Sequence, residues 1–236
     1  MVMLAPVFGA QGVPTLVRIA LTASFSFILY PIIANSHPVV PLELLPFVAI
    51  LIKEILVGLV IGFVIYAFSA ILQGAGQLID IQVGFAMANT IDPFYGAQTP
   101  LMGKFNLILA TMILLATNAH HFLVIAMVKS YTYVPINTAA VAIKPIFYYN
   151  LVAHIFTLSV QLALPIFGAI FLADVGLGLL SRAVPQLNIF TVVFPVKIGF
   201  GFILLMLSIP FFGGSVTHIF NSTMDWLLQL YRGWLT

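Results

Sequence analysis

The sequence predicts an all-α, membrane-associated protein, and three observations carry that prediction. Only 6% of its 236 residues are charged, against about 25% in an ordinary soluble domain, while 62% are hydrophobic. Apolar runs near the ~20 helical residues that cross a hydrocarbon core recur along the chain. Where polar residues form a pattern, at Gln73, Gln77, Asp80 and Gly84, they fall at i, i+4, i+7 and i+11, one face of a helix. Segments of this kind throughout one chain of this length suit one helical unit rather than two domains. The formal net charge of +2, with no basic cluster, argues against nucleic acid. The absence of cysteine excludes disulfides, thiolate nucleophiles and Cys-based metal sites.

The first cation, Arg18, lies inside the first long apolar segment, so residues 1–14 do not read as a secretory leader. That segment, residues 16–34, should kink or end at Pro31, with a loop over residues 35–41. Residues 44–72 form the second segment and contain Lys53 and Glu54. Consecutive residues point about 100° apart on a helix, so these two are expected to be poor partners for one another. Gly58 and Gly62 have a spacing that admits a neighbouring helix, although such spacings also arise by chance in apolar sequence.

Residues 73–99 are small, polar and glycine-rich between apolar flanks. A helix is expected there up to about Ile91, because Asp92-Pro93 favours a turn and Gly96 permits an unusual backbone angle. A polar-striped helix leading into a short loop suggests a path for water or for something larger. Residues 105–128 again have spanning length, interrupted by Asn118, His120 and His121. No H-E-x-x-H or i, i+4 histidine pair supports a metal site, and an interhelical hydrogen bond or a headgroup contact suits these histidines better. A connector with Lys129 and Lys144 follows.

The fourth run, residues 148–180, is too long for one perpendicular span and should be divided by Pro165. Asp174 within it marks either a polar pathway or a helix-locking contact. Arg182 is offset from it by roughly 80°, within reach only at full side-chain extension. A turn over residues 181–188 leads to residues 189–212, which contain Pro195, Lys197 and Pro210. The two arms read as a helical hairpin. Residues 215–235 look amphipathic, with Asp225, Gln229 and Arg232 on the wet side and Trp226, Tyr231 and Trp234 suited to a membrane interface. No nucleophile elbow or Walker-A pattern is present and the acids are scattered, so an enzyme is not expected. An export-pore subunit, a self-contained transporter using Asp80 and Asp174, and a structural membrane protein remain.

Residues 76–105 (GQLIDIQVGFAMANTIDPFYGAQTPLMGKF), 115–124 (LATNAHHFLV) and 164–201 (LPIFGAIFLADVGLGLLSRAVPQLNIFTVVFPVKIGFG) resemble the FliR family of flagellar export-gate proteins, with relatives in virulence type III secretion. Residues 5–18 resemble that family's N-terminal region. The ordered combination of G-Q-x-I-D, D-P, N-x-H-H and R-x-x-P-Q-x-N-x-F carries the likeness.

The resemblance implies kinked helical hairpins like FliP-like and FliQ-like chains fused: a single export-gate domain over residues 1–236, with residues 1–145 FliP-like and residues 146–236 including a FliQ-like hairpin. The family carries another hydrophobic helix before the region matching residues 5–18, so a first N-terminal helix is expected to be missing here. Expected partners are FliP-like and FliQ-like subunits, an FlhB-like protein and exported unfolded flagellar proteins, in the inner membrane at the flagellar basal body. Neither catalytic site nor cofactor is implied, since the energy for export comes from elsewhere in the machine.

Asp92, Pro93, Phe94, Tyr95, Gly96, Ala97, Gln98 and Thr99 correspond to the loop that plugs the family's closed pore. Gln73, Gln77, Asp80 and Gly84 become a packing or pore stripe. Lys53, Glu54, Asp174, Arg182 and Lys197 become intersubunit polar contacts. The family's complex sits largely above the membrane plane, so apolar segments serve protein interfaces as well as lipid. A virulence-system subunit is the alternative, and an independent ion or solute transporter a more distant one.

Overall fold

The computed structural model describes residues 1, 4–6, 9, 13–34, 41, 43–85, 100–136, 144–183 and 189–235. Among the described residues there are six α-helices and no strand. They are α1 (Thr15–Ala34), α2 (Leu44–Val83), α3 (Leu101–Ala116), α4 (His120–Tyr133), α5 (Pro145–Ala183) and α6 (Ile189–Leu235). Helices α2, α5 and α6 contain 40, 39 and 47 residues. At ~1.5 Å per residue each is about twice as long as the ~30 Å hydrocarbon core is thick. Among the described residues three helices are long and apolar enough to cross a membrane, or four if the bent pair α3–α4 is one span.

Prolines do not divide these helices. Pro31 lies inside α1, Pro165 inside α5, and Pro195 and Pro210 inside α6. The expected division at Pro165 is therefore corrected. An interior proline costs about 3 kcal/mol through one lost hydrogen bond and a crowded carbonyl. Ending a helix in apolar surroundings would strand several backbone groups, each costing several kcal/mol. Continuing is cheaper.

Residues 44–72 and the first part of the polar stretch, residues 73–83, belong to one helix, α2, which ends at Val83 rather than near Ile91. The stop is Gly84, whose φ of 96° lies in the left-handed region open to glycine. Its amide still donates to the Asp80 carbonyl at 3.1 Å, closing the last turn. The break between α3 and α4 has a similar cause. Asn118 has φ 55°, a conformation its short polar side chain tolerates, and the two helices meet at 78°.

Contacts divide the chain into two interleaved units: Met1–Phe68, Thr111–Ala153 and Phe220–Thr236 form the first, and Ser69–Ala110 with His154–Ile219 the second. In the first unit α1 touches α4. Aromatic pairs join its helices: Phe63 with Tyr148, Phe68 with Phe220, and Phe147 with Trp226, at ring separations of 6.3, 5.9 and 5.5 Å. Gly62 faces Leu4 rather than a neighbouring helix, and nothing lies within 4 Å of a Cβ built on Gly58.

In the second unit Ala75, Ile79 and Val83 of α2 share one buried cluster with Met102 of α3, Ala163, Ile166 and Ile170 of α5, and Leu205 of α6. Residues 69–83 are thus the strut on which the other three helices pack. Ile170 clusters with Leu205 while Asp174 pairs with Lys197, so α5 and α6 run antiparallel here. The tightest approach is backbone to backbone: a Cβ on Gly76 would overlap the main chain of Gly103.

We therefore expect Gly76→Val to destabilise the protein by at least about 1–3 kcal/mol, through overpacking against an immovable main chain. Gly168→Ala, whose Cβ meets nothing within 4 Å, should raise stability by about 0.5–1 kcal/mol. Thermal unfolding of the two variants in detergent separates these outcomes.

Candidate functional site

The polar residues of the second unit gather where α2 ends and α3 begins. Asp80 is 4% exposed, and its two carboxylate oxygens accept from the Met102 amide at 3.2 and 3.1 Å. The Leu101 amide also engages this carboxylate. These are first-turn amides of α3, donors without an intrahelical acceptor, at the end of the helix where negative charge is favoured. Pro100 precedes them, with its carbonyl accepting from Lys104 at 2.9 Å as the helix opens. An acid on one helix thus caps the next.

The other stripe residues are placed differently. Gln77 is exposed and Gln73 half-buried, with its main chain against Gly103. Gly84 lies past the helix end, beside the Phe194 ring. Two residues before it, Gln82 donates from Nε2 to Asp174 Oδ2 at 2.9 Å, and Lys197 Nζ reaches the same oxygen at 2.9 Å. This triad ties α2, α5 and α6 together a few residues from the end of α2. Asp174 is therefore paired with Lys197, not Arg182, which stands exposed in the last turn of α5. Gln82, Gly76 and Gly103 were absent from the sequence-predicted set. A small residue in the first turn after a proline, as in P-L-M-G, was the available signal for Gly103.

In the first unit, Lys53 Nζ donates to the carbonyls of Pro135 and Ile136 at 3.0 and 2.8 Å and lies 3.1 Å from Glu54 Oε1. The expectation that Lys53 and Glu54 are poor partners is corrected. Lysine's flexible four-carbon stem reaches the carbonyls that follow α4, and the buried ammonium draws in its neighbour's carboxylate. Glu54 Oε1 makes no directed hydrogen bond, so the contact is one of charge. Four of the five predicted intersubunit charges, Lys53, Glu54, Asp174 and Lys197, thus have partners inside the chain.

The predicted plug, Asp92, Pro93, Phe94, Tyr95, Gly96, Ala97, Gln98 and Thr99, lies outside the described residues. Among the described residues no group of three or more His, Cys, Asp or Glu side chains is placed to hold a metal ion. The His120 and His121 rings lie 4.4 Å apart, tilted at 44°, and His120 Nδ1 is buried without a partner.

Removing the Asp80 carboxylate strands at least one buried amide, at a cost of about 1–3 kcal/mol. Asp80→Ala should lower the yield of folded protein, whereas Asp80→Asn, which keeps an acceptor oxygen, should retain most of it. Size-exclusion recovery of the two variants measures this, and equal recovery of Asp80→Ala and wild type would refute it.

The family model of bacterial export proteins, family 1, matches residues 1–223. The flagellar biosynthetic protein FliR of Bacillus subtilis strain 168 is 33% identical over 95% of this chain and 88% of its own length. FliR of Caulobacter vibrioides is 32% identical over 95% and 90%. The Yop proteins translocation protein T of Yersinia pseudotuberculosis is 32% identical over 81% of this chain and 74% of its own length. With the all-helical apolar architecture and near-complete coverage in agreement, the chain belongs to the bacterial export proteins, family 1, and within them to the FliR family.

Proposed function

We propose that this chain is a non-catalytic subunit of a flagellar type III protein export gate in the bacterial inner membrane, and that it helps to form and seal the export pore. The carrying observation is the family match over residues 1–223, in a chain whose long helices leave much apolar surface exposed. The most hydrophobic window of α6 is only 11% buried within the chain, which suits a helix completed by lipid or by other subunits. The partners are FliP-like and FliQ-like subunits and an FlhB-like protein, and the cargo is unfolded flagellar protein. In this reading residues 1–145 play the FliP-like part. The antiparallel α5–α6 pair, within residues 146–236, plays the FliQ-like part.

Residues 92–99 act as the plug. Support for this comes from their stems: α2 and α3, which flank the segment, are held to each other by Asp80 and by the Gly76–Gly103 approach. A loop that seals a pore needs such fixed ends. Gln77 contributes to the pore or packing stripe. Arg182, exposed at the end of α5, is the remaining charge suited to another subunit. A virulence-type export apparatus is the second reading, favoured by the likeness to the Yop translocation protein.

Deleting the gene should abolish motility, and the tagged chain should co-purify with FliP-like and FliQ-like proteins. A motile deletion strain with no second copy of the gene would count against the proposal. Deleting residues 92–99 should leave assembly intact and make the closed pore leaky to small ions. Ion flux equal to wild type in that deletion would remove the plug assignment.

A further inference from the structure

Within the first unit, α4 and α6 line a cavity of ≈310 Å³ that plays no part in the export reading above. Its walls are apolar, with Phe122, Ile125 and Ala126 on one side and Phe220 and Leu227 on the other. Tyr231 is wholly buried at its floor, and its hydroxyl is consumed by donation to the Ala126 carbonyl at 2.8 Å. The floor therefore offers an entrant carbon contacts and no free hydroxyl.

Two charges also line the cavity, Lys129 on α4 and Asp225 on α6. Both are exposed, and among the described residues neither takes part in an ion pair. One apolar cavity thus carries a cation and an anion that do not satisfy each other. The neighbouring residues are of the kinds that suit a headgroup level. Tyr133 stacks on Tyr231 at 5.3 Å, Trp234 follows at 5.8 Å, and Arg232 is exposed in the last turn of α6. The length of α6 is consistent with this, because 47 residues cannot lie within one hydrocarbon core along its normal.

We propose that this cavity binds a zwitterionic phospholipid with an amine headgroup, its acyl chain against the apolar walls, its phosphate at Lys129 and its ammonium at Asp225. Charge complementarity selects this occupant. An anionic lipid without an amine could place its phosphate at Lys129 but would bring no cation to Asp225. An apolar helix from another subunit would bury both charges unpaired, at a cost of several kcal/mol per ion.

Native mass spectrometry of the assembled membrane complex, with added phosphatidylethanolamine or phosphatidylglycerol, tests this. The wild-type complex should retain phosphatidylethanolamine in preference. Asp225→Lys should shift the preference towards phosphatidylglycerol by about fivefold, equivalent to the ~1 kcal/mol that one basic residue contributes near anionic lipid. Met224→Trp, which fills the cavity, should displace the lipid. Equal retention of the two lipids by wild type overturns the proposal, as does a preference unaltered in both variants. An Asn221→Cys cross-link to another subunit, with no lipid retained, assigns the cavity to protein and also overturns it. If a variant fails to assemble, the wild-type headgroup preference decides by itself.

Discussion

The second unit depends on one contact between neighbouring helices: the Asp80 carboxylate on the first amides of α3, beside the place where Gly76 and Gly103 bring two main chains together. A backbone approach this close requires two residues without side chains, and it brings the helix start within reach of an acid one turn further along α2. The acid in turn satisfies the buried Met102 amide, in a chain with too few polar groups to waste one. Ala75, Ile79 and Val83 then present the rest of the strut to α5 and α6.

That arrangement gives an export protein something its composition alone does not. Val83 and Pro100 bound the polar segment on which the pore reading rests, and residues of the two helices that flank it are pinned by separate contacts. Asp80 holds the α3 side, while the Gln82–Asp174–Lys197 triad holds the α2 side against the α5–α6 pair. The Lys197–Asp174 pair is modest, because partly exposed ion pairs contribute about 0–1 kcal/mol. The value of these contacts lies in placement: they fix the end of α2 and the start of α3, the two ends from which the proposed plug would extend.

Much of this was legible in the sequence, and the exceptions have physical causes. The all-helical apolar character, the break at Asn118 and the hairpin of α5 and α6 followed from composition and spacing. Helix ends were misjudged because proline weighs differently here: Pro165 ends helices in water, but among apolar neighbours the alternative is worse. The end of α2 was placed at the Asp92-Pro93 turn when a left-handed Gly84 had already ended it. Pairings across helices escaped altogether. Lys53 with the carbonyls that follow α4, Gln82 with Asp174, and Gly76 with Gly103 depend on how helices approach, which periodicity within one helix does not encode.

Amide hydrogen exchange at Leu101 and Met102 in the assembled complex tests the central contact most directly. First-turn amides of a helix lack intrahelical acceptors and ordinarily exchange fast. Both should be protected in wild type and lose that protection in Asp80→Ala, with Leu123 and Ala126 of α4 unaffected. Fast exchange at both positions in wild type, or equal protection with and without the carboxylate, would contradict the account.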